Sequence, residues 1–249
     1  MRKIALVPVY NEESTLVSVL DPISTQVDML VVVDDGSTDS SLDLALRWAR
    51  QRRGTVVLPQ AENRGMSSAL RAGFIYLEAR LEKRELDPDD LLLTLDADGQ
   101  HDWRAIRALC EYVEKGGLDV ALTRRDFSLY PVHKRLGNRL MTFWGCLWSG
   151  FGYRDVESGF RALRLKVLPA LLDYYTGYRY SCAQEIAVLT ARLGFKVDNR
   201  FKTTIRHYRS QTSMRDVAIN ASLGFWAFSR WALRRKTRNN QPTVSEESA

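Results

Sequence analysis

The stretch LLLTLDADGQH, residues 91–101, decides how this chain is read. Leu91 to Leu95 is apolar but for Thr94, as expected of a strand buried on both faces. The run stops at Asp96, and Asp98 follows two positions later. On an extended segment, residues i and i+2 point the same way. Two carboxylates so placed can clasp one hard divalent cation and leave positions for diphosphate oxygens. Gln100 repeats the spacing and offers an amide oxygen. Asp and Gly are common at any strand end, so the surrounding segments must decide.

Outward from this stretch the strand signal recurs at Ile4–Val7, Met29–Val33, Thr55–Leu58 and Asp119–Leu122. Between these runs, Glu13–Leu20, Asp39–Arg53, Gly65–Leu81 and Trp103–Glu114 read as helices, the last stopped by Gly116 and Gly117. Asp39 or Ser37 is available to cap the second helix. Strands alternating with helices of this length predict βαβ units, an α/β fold and a mostly parallel sheet flanked by helices. Ligands bind such sheets beyond the carboxyl ends of the strands. The polar clusters fall there: PVYNE at 8–12, DDGS at 34–37, ENRG at 62–65 and DADGQH at 96–101. A carboxylate of Asp34 or Asp35 can accept from a base N–H or a ribose hydroxyl, or simply cap the following helix. No G-x-G-x-x-G follows the first strand and no Walker A lysine loop occurs, which disfavours dehydrogenases and P-loop enzymes.

The second half is less regular. Val132–Ser149, Cys182–Arg192 and Met214–Arg235 read as helices, and Glu157–Arg164 and Lys196–Ile205 as strands. The expected organisation is a catalytic unit at 1–212, an amphipathic helix at 213–236 and a polar, disordered tail at 237–249. The chain has 249 residues with 36 Lys plus Arg against 30 Asp plus Glu, a formal charge of +6. That excess is too weak to argue for nucleic acid, but residues 196–238 hold 11 of the cations against Asp198 and Asp216 alone. Cys110, Cys146 and Cys182 form no Cys-x-x-Cys pair, which argues against structural zinc or a disulfide framework and for reduced thiols in the cytoplasm. No signal peptide opens the chain, and no apolar run approaches the roughly 18–20 residues of a membrane span.

Five motifs in this order resemble the family 2 glycosyltransferases of the GT-A fold, near their polyprenyl-phosphate branch, the dolichol-phosphate mannose synthases. They are PVYNEE at 8–13, VVDDGSTD at 32–39, ENRGMSSALRAGF at 62–74, LDADGQHD at 95–102 and DVESGFRALR at 155–164. The resemblance extends over residues 1–209 and implies roles by position. Pro8, Tyr10, Glu12, Asp34 and Asp35, with Asn63, would line the base and ribose pocket of a nucleotide sugar, GDP-mannose or a UDP-sugar. Asp96, Asp98 and Gln100 would hold Mg²⁺ or Mn²⁺ on the donor diphosphate. Arg125, Arg135, Ser158 and Arg209 would cradle the phosphate of a polyprenyl acceptor, with Arg124 an alternative to Arg125 and Arg161 structural. An inverting transfer of one sugar follows, by an enzyme peripheral on the cytoplasmic face of a membrane; no oligomeric state is implied.

Physical chemistry agrees with these roles. An ionised phosphate acceptor needs cations around it but no general base, and planar guanidinium forks suit it. A hydroxyl acceptor needs a carboxylate base instead. Glu157 stands where the family usually has a neutral residue, which keeps a saccharide or small-molecule hydroxyl acceptor open. The plain alternative is that Glu157 pairs with an arginine. Met214 departs from a Ser-Lys pair typical of the synthases and cannot bind phosphate. A nucleotidyltransferase would want a Gly-rich loop near residue 10, and a non-catalytic membrane module would have no use for Asp96 and Asp98. Trp144, Trp148, Phe225, Trp226, Phe228 and Trp231 could sit at headgroup level while Arg230, Arg234, Arg235, Lys236 and Arg238 meet anionic lipid, or the aromatics could be ordinary core. On a helical wheel Val217, Ala221, Gly224, Phe225, Phe228 and Trp231 or Ala232 share one face.

Asp98→Ala is expected to abolish turnover without unfolding the protein, since Asp98 follows the strand and has no core role. Near wild-type activity of this variant at saturating metal would remove Asp98 from the ion site.

Overall fold

The computed structural model describes residues 1–127, 130–204 and 214–239. The first half runs β1 (Lys3–Val9), α1 (Leu16–Ser24), β2 (Met29–Asp34), α2 (Ser41–Arg50), β3 (Thr55–Pro59), α3 (Met66–Glu82), β4 (Leu91–Thr94), α4 (Ala105–Gly116) and β5 (Val120–Leu122). The second half runs β6 (Arg124–Arg125), α5 (Val132–Ser149), β7 (Arg161–Arg164), α6 (Leu168–Leu172), α7 (Cys182–Arg192), β8 (Val197–Asp198), β9 (Lys202–Thr203) and α8 (Met214–Asn239).

Seven strands form one sheet in the order β3-β2-β1-β4-β7-β5-β8, parallel except for β7, which runs antiparallel to β4 and β5. Strands β6 and β9 pair separately, in parallel. Successive residues of a strand face opposite sides, and β1 divides accordingly. Ile4 and Leu6 join Phe74, Leu77 and Ile186 on the side of α3 and α7. Ala5 and Val7 join Leu16, Leu20, Ile106 and Leu109 on the side of α1 and α4. Burial on both faces explains why β1, β2 and β4 read as unbroken apolar runs rather than alternating ones.

Two expected strands are shortened by side chains that bond the backbone, a competition that favours irregular structure. The run at 157–164 becomes extended only at Arg161, because Asp155 Oδ1 accepts the Glu157 N–H at 3.1 Å. The run from Lys196 splits into β8 and β9 around Asn199. Its Oδ1 accepts the Arg154 and Asp155 N–H groups at 2.6 and 3.0 Å, and its Nδ2 donates to Leu122 O and Asp155 O. Ile205 lies outside the described residues. Helix α2 begins at Ser41 with Ser40, not Asp39 or Ser37, at the N-cap position and no cap bond from the Ser40 side chain, while the Asp39 carboxylate one residue earlier accepts the Ser41 N–H at 2.9 Å. Helix α4 ends as read, on Gly117 in the left-handed conformation.

Helix α8 packs on α5 and α7. Ala227 is fully buried, and Phe228 and Trp231 turn to the core, where the Arg192 guanidinium lies 4.8 and 5.3 Å from their ring centres. On the wheel face described above Phe228 and Trp231 thus pack inward while Phe225 is exposed, as is Trp226 beside it; the side chains of Val217 and Ala221 lie outside the described residues. No described helix is long and apolar enough to cross a membrane.

Gly36 closes the turn after β2 with φ +68°, and a Cβ there would lie 2.5 Å from the Glu62 carbonyl carbon and 2.7 Å from Asn63 N. Gly36→Ala is therefore expected to cost about 1–3 kcal/mol, lowering the melting temperature by roughly 2–4 °C per kcal/mol at this size. Gly152→Ala, with nothing within 4 Å of its Cβ position, is the control and is expected to be nearly neutral in thermal unfolding.

Candidate active site

The loops after β1 and β2 are stitched to each other. Asn11, at φ 54°, accepts the Thr38 N–H on Oδ1 at 2.8 Å, and its own N–H donates to Ser37 Oγ at 3.0 Å. The Glu12 N–H donates to Ser41 Oγ at 2.8 Å, and Glu13 Oε2 accepts the Ser40 N–H at 3.0 Å. The loop after β3 is added by Asp35, whose carboxylate accepts the Arg64 N–H at 3.1 Å and the Gly65 N–H at 2.7 Å. Burial, opposed by these two bonds and aided by the Asp34 charge, pushes the Asp35 carboxyl up.

These loops enclose a cavity of about 690 Å³ at the carboxyl ends of the central strands. Pro8, Tyr10, Glu12, Asp35, Asn63, Asp96, Asp98 and Gln100 all line it, together with Met66 and Tyr180. Asp34 does not: it is fully buried, and its Oδ2 accepts the Ser37 N–H at 3.0 Å, so its role here is to shape the turn.

Strand β4 ends at Thr94, and Ala97–Asp98 form a turn rather than an extended continuation. Asp96 is fixed from two sides. His101 Nε2 lies 2.8 Å from its Oδ2, and a Cβ on Gly159 would overlap its carboxylate. Burial alone would raise the Asp96 carboxyl, but His101, then Arg161 and Arg125, outweigh it and hold the group below its ordinary value. Asp98 moves the opposite way, pushed up by burial and by the Asp96 charge. Gln100 partly offsets this, donating its N–H to Asp98 Oδ1 at 2.9 Å and Nε2 to Oδ2 at 2.5 Å. Among the described residues no group of three His, Cys, Asp or Glu side chains gathers to hold a metal unaided. Two crowded carboxylates with oxygen donors alone fit a hard divalent cation whose other positions come from a ligand.

The acceptor residues expected from sequence are brought together less completely. Arg125, on β6, grips the buried Asp155 through Nε at 2.8 Å and Nη2 at 2.9 Å, and Nη2 also donates to Asn138 Oδ1 at 2.7 Å. Its fork is thus largely occupied. Ser158 is buried and shares a 2.7 Å hydrogen bond with Thr123 Oγ1 rather than facing a ligand. Arg135 is exposed on α5 and donates Nε to Tyr130 O at 2.8 Å. Arg209 lies outside the described residues. Among the described residues Glu157 accepts from Gln184 Nε2 at 3.1 Å and pairs with no arginine, and burial, against the pull of Arg125, pushes its carboxyl up.

Sequence reading missed two features. His101 and Gly159 sat inside quoted motifs without a role. Glu185 carried no signal at all, yet its buried carboxylate accepts from Thr176 Oγ1 at 2.7 Å, Ser181 Oγ at 2.9 Å, the Gly177 N–H at 3.3 Å and Arg230 of α8. It thereby ties α8 to the loop that brings Tyr180 to the cavity.

A family model described as glycosyl transferase family 2 matches residues 4–186. The chain belongs to that family, and it is a glycosyltransferase. It is 29% identical over 204 residues to the undecaprenyl-phosphate mannosyltransferase of Micrococcus luteus, covering 79% of this chain and 81% of that protein. It is 34% identical over 176 residues to the undecaprenyl-phosphate 4-deoxy-4-formamido-L-arabinose transferase of Edwardsiella ictaluri, 67% of this chain and 50% of the relative. Its fold matches the glucosyl-3-phosphoglycerate synthase of Mycobacterium tuberculosis in complex with Mn²⁺, uridine diphosphate and phosphoglyceric acid, with a TM-score of 0.66 at 19% identity over 92% of this chain and 78% of that one. The GT-A architecture is therefore shared.

Because Asp98 is raised above 3.8, its ionised form costs folding stability above its folded-state value, and that cost is absent below 3.8, where both states are protonated. Removing the charge with Asp98→Asn is therefore expected to raise thermal stability near neutral pH. The gap from wild type should shrink as pH falls toward 3.8. Unfolding scans across pH in chelator check this, and a gap independent of pH would refute it.

Proposed function

We propose that this glycosyltransferase moves one sugar, with inversion, from GDP-mannose or a UDP-sugar to a polyprenyl phosphate at a membrane surface, working from the cytoplasmic face. The observation that carries the proposal is the acidic pair Asp96 and Asp98 on the wall of a cavity of ligand size. The two polyprenyl-phosphate relatives support the acceptor class, and the Mn²⁺ and uridine diphosphate of the solved neighbour support the donor side.

In this reading Tyr10, Asp35 and Asn63 hold the nucleoside, and Asp96 and Asp98, helped by Gln100, hold Mg²⁺ or Mn²⁺. When bound, the ion neutralises charge building on the leaving diphosphate. The chain's own part is to keep Asp96 ionised and aimed, through His101 and the space at Gly159. On the other side the charge of Arg161, with Arg135, would meet an acceptor phosphate, Arg125 being held by Asp155; Arg209, expected to join them, lies outside the described residues. Residues 1–212 would carry the chemistry and 213–236 would contribute α8.

A second reading is favoured by one observation: Glu157, buried and raised, is suited to act as a base toward a hydroxyl acceptor. The deciding experiment offers nucleotide sugars with polyprenyl phosphate or with saccharide acceptors, in Mg²⁺ or Mn²⁺, and identifies products by mass. A polyprenyl-phosphate sugar is expected. Glu157→Gln should then retain turnover within about tenfold, whereas loss of a general base costs about 10²–10⁴-fold. Product with hydroxyl acceptors alone would overturn the phosphate reading.

A further inference from the structure

Helix α5 carries Val132, Leu136, Leu140, Phe143 and Leu147, each between 44% and 77% exposed. Their spacing of four, four, three and four residues confines them to an arc of about 80° at 3.6 residues per turn. A helix of a folded domain normally buries such a stripe. Here the buried side is the other one, where Met141 and Thr142 lie. The exposed stripe continues onto α8, where Phe225 and Trp226 are also exposed and Phe225 meets Trp148 of α5 at a ring separation of 5.0 Å.

The charges beside the stripe have one sign. Helix α5 contains no acidic residue, and the exposed Arg135 and Arg139 border the apolar arc on one edge. On α8 the exposed Arg234 and Arg235 follow Leu233. A symmetric pairing of two copies would bring two arginine-bordered faces together, whereas an anionic bilayer offers apolar depth and phosphate in the same plane.

We infer that the exposed face of α5, extended by Phe225 and Trp226, rests on an anionic lipid surface, with the apolar stripe at the acyl boundary and the arginines among the headgroups. This rests on, and deepens, the lipid-acceptor reading. It also differs from the sequence expectation, since Trp148, Phe228 and Trp231 pack inward and the docking side chains are mainly those of α5. The opposite side of the same helix meets the proposed acceptor site: Arg125 donates Nη2 at 2.7 Å to Asn138, which lies roughly 160° around the helix from the centre of the stripe.

The test uses the full chain, the double variant Leu136→Gln/Phe143→Gln and sedimentation with vesicles of phosphatidylglycerol and phosphatidylcholine. Wild type should sediment with anionic vesicles, less so as salt rises, and weakly with phosphatidylcholine alone. The double variant should lose at least about tenfold in partition, while its turnover on a short-chain, water-soluble polyprenyl phosphate stays unchanged. Phe225→Gln/Trp226→Gln, on the neighbouring helix, should also weaken partition and guards against a folding defect in the first variant. Undiminished vesicle binding in both would overturn the inference. So would a wild-type dimer, seen by sedimentation equilibrium, that these variants dissociate. Absence of transfer to any polyprenyl phosphate would instead sink the functional reading, because vesicle partition is read without turnover.

Discussion

The repulsion between Asp96 and Asp98 is the constraint around which the site is built. Two carboxylates this close raise each other's proton affinity, and the fold answers the two unequally. Asp96 receives His101, the field of Arg161 and Arg125, and a carboxylate-sized space where Gly159 lacks a Cβ. Asp98 receives bonds from the neighbouring Gln100 and stays raised. A strand buried on both faces is what carries this charge to the sheet edge, since β4 anchors the turn with four buried residues. The result is an unequal pair, Asp96 held ionised by its neighbours and Asp98 left raised beside it.

Helix α7 connects the two sides of that pair. Gln184 and Glu185 are adjacent, so they project about 100° apart around the helix axis. Gln184 reaches Glu157 and Met141 O. Glu185 reaches the 176–181 loop and Arg230 on α8. The same loop touches α3, where the Ser67 N–H donates to Arg179 O at 2.8 Å. Helix α8 is therefore bonded, through one buried carboxylate, to a loop that lines the cavity, and its packing bears on the cavity wall.

Much of this was legible in the sequence. The buried strands announced themselves as apolar runs, and eight of the expected donor and ion residues meet in one cavity because parallel strands bring their carboxyl ends to one edge. What was not legible depends on pairings across long stretches of chain. Arg125 and Asp155 are 30 residues apart, and nothing local says that one occupies the other. Asn199 reads as a strand residue until its amide is seen stapling residues 154 and 155. The aromatic residues near the chain's end read as interfacial because arginines lie close in sequence. In the fold Phe228 and Trp231 are half-buried against the core, where Arg192 of α7 covers both and Arg235 also lies over Trp231.

The acceptor side shows how charge can be released there without moving a side chain. Arg125 is neutralised by Asp155, so the balance falls to Arg161 and Glu157. Arg161 is almost wholly buried, and its Nε–H has no hydrogen-bond partner among the described residues. Its charge acts on both Asp96 and Glu157. Burial raises the Glu157 carboxyl, which makes protonation the low-cost response to an arriving anion. A proton on Glu157 would remove one of the two carboxylate charges on which Arg161 acts, leaving Asp96, and an acceptor phosphate bound nearby would favour that state by linkage. A glutamate at this position, which looks unfavourable for an anionic acceptor when read as a fixed charge, is compatible with one when read as a group that titrates.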